Sequence, residues 1–170
     1  MNEIFFTKLS PDDAAGAHLL WSDETAALFT NFPYLPTIDE CRERVSKMLA
    51  FYGQNHDHFG PYVIRDKAGE FLGLTGGDAN KVDVGAYEIW YFVRRDMWGK
   101  KVATRAVEHL LTLMKESGRV RTIKAEAVVD NKPSWLFLEK LGFNRTELLP
   151  DAHKKNGRTW NRYLYSMTVK

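Results

Sequence analysis

Two kinds of apolar periodicity divide the 170-residue chain into strands and helices. Alternating stretches rich in β-branched and aromatic residues predict strands, and apolar residues three or four positions apart predict helices. Seven segments are predicted as strands: residues 5–9, 61–65, 71–75, 87–93, 122–129, 144–149 and 162–169. Four amphipathic helices are predicted between them, beginning near Pro11, near Cys41, at Ala103 and at Trp135.

The ends of these helices carry local signals. Ser10 and Pro11 have the residue types preferred at the N-cap and first helical position, and Gly118 and Gly142 are typical helix ends. The order of elements is therefore strand, two helices, three strands, helix, strand, helix and two strands. This order predicts an α/β protein in which helices pack around a mixed sheet.

Length and composition favour a single domain over residues 1–170. Hydrophobic residues make up 44% and charged residues 27%, as in ordinary soluble proteins, and no apolar run reaches the roughly 20 residues of a membrane helix. The first residues show no export signal, so we expect a cytoplasmic protein without a membrane partner. A net charge of +2 is too small to favour nucleic-acid binding.

Metal and disulfide chemistry are not expected. Cys41 is the only cysteine, which excludes an internal disulfide and a multi-cysteine zinc site. His56 and His58 flank Asp57 but have no third anchor, so a solvated loop is predicted there. The basic run over residues 154–162 is also predicted to be a solvated loop, although its charge could favour an acidic partner.

A basic turn over residues 94–101 joins the strand at 87–93 directly to the helix that begins at Ala103. The first N–H groups of a helix have no partner within the helix, and they lie at the positive end of its dipole. A strand, turn and helix in this order therefore favour the binding of a pyrophosphate.

Two stretches of the chain resemble the Gcn5-related N-acetyltransferase (GNAT) family, in particular its ribosomal-protein alanine acetyltransferase (RimJ/RimL-type) branch. The run Trp98-Gly99-Lys100-Lys101-Val102-Ala103 is similar to the acetyl-CoA pyrophosphate loop, usually Trp-Gly-Lys-Gly-x-Ala. The second stretch, residues 130–143, is similar to the Asn-x-x-Ser…Glu-Lys-x-Gly-Phe signature, with its asparagine at Asn131 and its serine at Ser134.

The resemblance implies a mostly antiparallel sheet of six to seven strands, flanked by four helices and splayed at a central parallel pair. It implies acetyl-CoA as the co-substrate, without a metal, and an amine acceptor as the second partner. The cofactor-binding residues that it implies are Phe92, Val93, Trp98, Gly99, Lys100, Lys101, Val102, Ala103, Thr104, Asn131 and Ser134. Asn131 has a second interpretation as the plain N-cap of the fourth helix.

One position of the loop departs from the family pattern. The family's second glycine is Lys101 in this sequence. If this position required a positive φ, a lysine would cost roughly 1 to 2 kcal/mol. Either the turn stays right-handed or cofactor binding is weakened.

Catalytic roles are expected for one acid and one hydroxyl. Strand alternation places Glu88 on one face with Trp90, and this face leads toward the splay between the parallel strands, so Glu88 is the candidate base. The alternative is that Glu88 is a surface or ion-paired carboxylate. Ser134 matches the serine that this branch is proposed to use as a hydroxyl donor to the thiolate; its alternative role is to cap the helix. Many relatives have a tyrosine four residues later, but here that residue is Leu138, which cannot donate.

The strength of base that is needed depends on the acceptor. A lysine-like amine with a pKa near ~10.4 costs ~4.6 kcal/mol to neutralise at pH 7, whereas an α-amine near ~8 costs only ~1.4 kcal/mol. A strong base is therefore optional for an α-amine.

The leading functional hypothesis is an N-acetyltransferase that acts on a protein N-terminus, a polyamine or a small amino compound. Tyr34, Trp90 and Trp160 are the candidate acceptor-side residues, because their segments flank the acceptor cleft in similar folds. Two alternatives are a non-catalytic acyl-CoA-binding regulator and an interaction domain that no longer binds the cofactor. Pairing of two copies through a sheet edge or the final hairpin stays open.

Overall fold

The computed structural model describes residues 3–169 as five helices and seven strands. The strands are β1 (Ile4–Lys8), β2 (Phe59–Asp66), β3 (Phe71–Ala79), β4 (Ala86–Val93), β5 (Thr122–Val128), β6 (Asn144–Lys155) and β7 (Arg158–Thr168). The helices are α1 (Ala14–Trp21), α2 (Glu24–Ala27), α3 (Ile38–Gln54), α4 (Val102–Glu116) and α5 (Lys132–Lys140). Short 3₁₀ turns lie at Pro11–Asp13 and Arg95–Met97.

The seven strands form one sheet in the order β1-β2-β3-β4-β5-β7-β6. Every neighbouring pair is antiparallel except β4 and β5, which run parallel. The parallel ladder begins at Ala86↔Thr122 and ends at Glu88↔Lys124, although both strands continue beyond it. The mixed α/β fold with a splay at its central parallel pair is thus confirmed.

Helices cover both faces of the sheet. On one face, α1 and α3 pack over a buried cluster that includes Trp21, Val45 and Leu74. On the other, α4 and α5 pack over a second cluster that includes Leu110 and Leu138. None of the described helices is long and apolar enough to cross a membrane.

The fifth helix, α2, was not predicted. It contains only one turn, Glu24–Ala27, so it is too short to show helical periodicity. Its local signal is the N-cap, because the Asp23 side chain accepts a hydrogen bond from the Ala26 amide at 2.9 Å. This helix matters because the segment that follows it reaches the functional cleft.

The prediction of a solvated basic loop over residues 154–162 is wrong. β6 and β7 continue to Lys155 and Arg158 and are joined by a two-residue turn, Asn156-Gly157, with φ of 46° and 71°. Asn-Gly is the preferred sequence for such a turn, because both residues need positive φ. The hairpin is therefore longer than predicted, and Lys155 donates to the carbonyl oxygen of Phe32.

Candidate active site

A cavity of about 430 Å³ occupies the gap where β4 and β5 separate. Strands β4 and β5 form its walls, and further lining residues come from the loop and start of α4, the start of α5, α1, α2 and the segment that follows α2, and Arg162 of β7. One end of the cavity is therefore formed by helix N-termini, and the other by the side chains Glu88, Glu126 and Arg162 together with residues 29–31.

The loop that leads into α4 presents free amides to the cavity. The first hydrogen bond of the helix runs from the Arg105 amide to the carbonyl of Lys101 at 3.1 Å. The amides of residues 102–104 precede it and have no intrahelical acceptor, and no side chain caps the helix at Lys101. In contrast, the amides of Trp98 and Lys100 already donate within the loop, to Arg95 and Met97.

The conformation of Lys101 resolves the question raised by its sequence. Lys101 has φ 62° and ψ 16°, which is left-handed backbone, so the turn does not stay right-handed there. This conformation is costly for a residue with a Cβ. Lys101 is the N-cap of α4 and directly precedes the amides of residues 102–104.

The loop is fixed to the end of β4 by two side chains. Arg94 holds Asp96 through two hydrogen bonds, Nε to Oδ1 at 3.0 Å and Nη2 to Oδ2 at 2.7 Å. These bonds, together with a contact to Glu70, raise the pKa of Arg94 above its ordinary value. The indole N–H of Trp98 donates to the carbonyl of Val93 at 2.8 Å. The side chains of Arg94 and Trp98 thus fix the loop before α4 without using the free amides of residues 102–104.

Strand β4 directs alternate amides into the gap. The Arg94 amide donates to the carbonyl of Leu72 in β3 at 2.9 Å. Because amide direction alternates along a strand, the amides of Tyr91 and Val93 point away from β3 and toward the gap. Beyond Glu88 the neighbouring strand has separated, so it supplies no ladder partner for them.

The hydroxyls of Ser134 and Tyr91 lie 2.8 Å apart at the start of α5. Ser134 is the third residue of this helix, but its hydroxyl faces the strand instead of capping the helix. Burial raises the pKa of Tyr91 to about 12. Asn131 occupies the N-cap position of α5, yet its side chain makes no capping hydrogen bond, and it lines the cavity instead.

Glu88 lies on the opposite face of β4 from Tyr91 and lines the end of the cavity that is remote from the helix N-termini. Glu88 is an exposed residue, yet partial desolvation by the cleft raises its pKa; the carboxylates of Glu126 and Asp78 raise it further, whereas nearby cations, Arg162 foremost, oppose this. Within residues 3–169 no cation lies at ion-pair distance from Glu88, so the geometry favours a carboxyl that can exchange a proton over a surface ion pair.

Arg162 connects the walls at the Glu88 end of the cavity. Its guanidinium binds Glu126 on β5 at 2.5 Å, the side-chain oxygen of Asn31 at 2.6 Å and Nδ1 of His153 on β6 at 2.9 Å. The Arg162 side chain is only 17% exposed. One partly buried cation therefore joins the sheet, the hairpin and the segment after α2.

The predicted site residues occupy different positions relative to the cavity. Those that line it are Glu88, Trp90, Phe92, Val93, Trp98, Gly99, Lys101, Val102, Ala103, Thr104, Asn131 and Ser134. Lys100, Tyr34 and Trp160 lie outside the lining. Trp160 stands behind the wall, with its ring 6.3 Å from that of Phe29 and its indole N–H on Asp130 at 3.0 Å.

Sequence reasoning missed Tyr91, Glu126 and Arg162 as cavity residues. Tyr91 had a usable signal, since strand alternation places it on the face opposite Glu88. Arg162 was missed although it begins the strand predicted at 162–169, because its partners Asn31 and Glu126 are distant in the sequence. Within residues 3–169, no group of three His, Cys, Asp or Glu side chains is arranged to hold a metal ion.

Comparison with known proteins matches this geometry to one family. The family model described as "Acetyltransferase (GNAT) domain" matches residues 3–144. An N-acetyltransferase of Bacillus licheniformis, p20, described as uncharacterized, is 28% identical over 162 residues, which cover 94% of this chain and 89% of that protein.

Solved structures show the same fold at low sequence identity. A GNAT-family acetyltransferase from Bacillus anthracis superposes with a TM-score of 0.83 at 18% identity, covering 99% of this chain and 97% of that one. RimL, a ribosomal L7/L12 alpha-N-protein acetyltransferase in complex with coenzyme A, gives a TM-score of 0.86 at 16% identity, covering 98% of this chain and 94% of that one.

Proposed function

Because this chain belongs to the acetyltransferase (GNAT) family, we propose that it transfers an acetyl group from acetyl-CoA to a primary amine by direct attack in a ternary complex. One observation carries the proposal. The gap between β4 and β5 has free helix amides at one end and the poised carboxyl of Glu88 at the other. A thioester donor and an amine can therefore meet between them.

The residues at the α4 end fit the pyrophosphate of coenzyme A. Amides 102–104 are free donors at a helix N-terminus, and Lys101 adds positive charge beside them. Each such interaction is worth on the order of 0.3 to 1 kcal/mol, so several must act together. The side chain of Asn131, which does not cap its helix and lines the cavity, would hold the pantetheine arm.

The gap-facing amides of β4 would polarise the thioester carbonyl. Val93 and Tyr91 direct their N–H groups to the place where negative charge develops on the carbonyl oxygen. Main-chain donors of a strand need no reorganisation during the reaction, which favours stabilisation of the tetrahedral species.

Glu88 would take the proton of the attacking amine, directly or through one water. Its raised pKa makes it a better proton acceptor than an ordinary carboxylate, provided that it is ionised before the reaction. Ser134 would donate a hydrogen bond to the departing sulfur. Since a thiol has a pKa of roughly 8.5, hydrogen-bond stabilisation of the thiolate suffices at neutral pH.

The acceptor belongs to the class of primary amines: a protein N-terminus, a polyamine or a small amino compound. Trp90 lines the acceptor end, and Trp160 packs behind it against Phe29; Tyr34 stays a candidate acceptor-side residue, although it lies outside the lining. The name of RimL, an alpha-N-protein acetyltransferase, supports a protein N-terminus as the first acceptor to test. An α-amine also needs the least deprotonation, ~1.4 kcal/mol at pH 7.

The test combines turnover with binding. Thiol release from acetyl-CoA is measured with free-α-amine peptides, polyamines and aminoglycosides, and acetyl-CoA binding is measured by calorimetry. We expect turnover with at least one amine class. Binding without turnover across the panel would instead select the non-catalytic acyl-CoA regulator, which the strained Lys101 favours. Absence of both would contradict an acetyl-CoA-dependent role.

A further inference from the structure

Tyr91 and Ser134 form an isolated pair of hydroxyls on the wall of the cavity. Their oxygens are 2.8 Å apart, and within residues 3–169 neither hydroxyl has another hydrogen-bond partner. The Tyr91 ring packs edge-on against Phe137 at 5.2 Å, so its position is fixed by α5 as well as by β4. Both side chains line the cavity.

The hydrogen bond has a favoured direction. A phenol is a stronger acid than an aliphatic alcohol, so the lower-energy arrangement has the Tyr91 O–H donating to Ser134 Oγ. A serine hydroxyl carries one hydrogen, and this hydrogen is then free to point elsewhere. The remaining direction open to it is the cavity that Ser134 lines.

Leu138 shows why such help is needed. This residue, four positions after Ser134, is fully buried in the core and has no donor group. No second hydroxyl from α5 therefore reaches the sulfur at that position. The strand supplies the nearest phenol, from the other side of Ser134.

We propose that Tyr91 is a positioning residue: it donates to Ser134 Oγ and thereby directs the Ser134 O–H toward the sulfur that leaves. This inference rests on the proposed function. As the C–S bond breaks, its electron pair stays on sulfur, the Ser134 hydrogen bond stabilises the resulting thiolate, and the thiolate later takes a proton from water. Ser134 and Tyr91 both keep their protons throughout.

A proton relay through the pair is disfavoured. The pKa of Tyr91 is raised to about 12. Transfer of its proton to a thiolate whose conjugate acid has a pKa of roughly 8.5 would be unfavourable by roughly a thousandfold or more. The phenol therefore orients the serine and does not replace its proton.

The experiment is a double-mutant cycle in the full-length protein. Tyr91→Phe, Ser134→Ala and the double variant are compared by thiol release and by acetyl-CoA binding, using an acceptor that the wild type acetylates. Tyr87→Phe is the control, because it also removes a phenolic hydroxyl from the same face of β4, but Tyr87 lies outside the cavity. Thermal unfolding checks that each variant is folded.

We expect Tyr91→Phe to lower kcat by about fivefold to tenfold with little change in acetyl-CoA affinity, since the interaction matters only as charge develops on sulfur. In the Ser134→Ala background the same change should have no further effect. Additive losses, or a loss confined to KM, would overturn the proposal. An inactive wild type would instead contradict the proposed function.

Discussion

Nε2 of His153 lies 2.7 Å from the carbonyl oxygen of Leu28 and ties the β6–β7 hairpin to the segment that follows α2. Only an N–H can meet a carbonyl oxygen, so Nε2 carries the proton. Nδ1 lies 2.9 Å from Arg162, which can only donate, so Nδ1 must accept. The buried imidazole is therefore neutral. In this form it joins the hairpin, through Arg162 and Leu28, to the segment after α2.

We predict that this contact makes the protein less stable in mild acid. Burial lowers the pKa of His153, and the cations of Arg162 and Lys155 lower it further, although the bond to Leu28 opposes this. The unfolded chain then binds the proton more readily than the folded one. Stability is fully present above the ordinary value of about 6.5 and is lost as pH falls toward the lower folded-state pKa.

The measurement is thermal unfolding from about pH 7.5 down to about pH 5.5. The wild type should lose stability over this range, whereas His153→Asn should start less stable and vary less with pH. His56→Asn, at an exposed histidine, is the matched control and should follow the wild type. Parallel curves for wild type and His153→Asn would show that another group titrates.

The left-handed Lys101 gives a prediction about stability. Lys101→Gly and Lys101→Ala remove the same charge, but only glycine relieves the strain of φ 62°. We expect the glycine variant to exceed the alanine variant by about 1 kcal/mol in the free energy of unfolding, measured in urea.

The affinities of the two Lys101 variants for acetyl-CoA separate the effect of the lysine charge from that of backbone strain. Both variants should lose about twofold to fivefold in affinity, because each lacks one ammonium beside the helix N-terminus. An alanine variant that is as stable as the glycine variant would mean that the left-handed turn carries no strain. Unequal affinities would mean that the turn itself, and not the charge, limits binding.

The sequence was sufficient for the features that depend on local patterns. The strand at 87–93, the basic turn and α4 follow one another without interruption, so periodicity and turn chemistry located the helix start that lines the cavity. The alternation along β4 placed Glu88 and Trp90 on one face, and both line the cavity. These are short-range properties, which is why they could be predicted.

Features that depend on tertiary packing could not be predicted. Tyr91 and Ser134 are 43 positions apart and meet only because α5 packs beside β4. Arg162 lies 131 positions from Asn31, yet the two hydrogen-bond across the cleft. The hairpin did carry a local signal at Asn156-Gly157, but the lysines and arginines around this turn gave the sequence no apolar alternation that would indicate strands.

Substitution of Glu88 tests the base. Glu88→Gln keeps the size of the side chain and removes its ability to accept a proton, so we expect kcat/KM to fall about a hundredfold or more for a polyamine. The loss should be smaller for a peptide α-amine, of which a larger fraction is already neutral at pH 7. Thiol release with both acceptors measures this. Equal losses for the two amines would indicate a role other than proton removal.

Glu126 should set the pH at which Glu88 becomes active. The Glu126 carboxylate raises the pKa of Glu88, and Glu126 also holds Arg162 at 2.5 Å. Glu126→Gln removes this repulsion and leaves the charge of Arg162, which lowers the same pKa, without a carboxylate to offset it. Because Glu88 must be ionised to accept a proton, activity should then persist to lower pH.

The acidic limb of kcat/KM against pH measures this shift. In Glu126→Gln the limb should move to lower pH while the plateau at higher pH changes by less than about threefold, since a neutral amide can still contact Arg162. In a Glu88→Gln/Glu126→Gln double variant this limb should be absent. If the acidic limb stays in place in Glu126→Gln, or persists in the double variant, it reports titration of the amine or of another carboxyl. Glu88 would then not be the base.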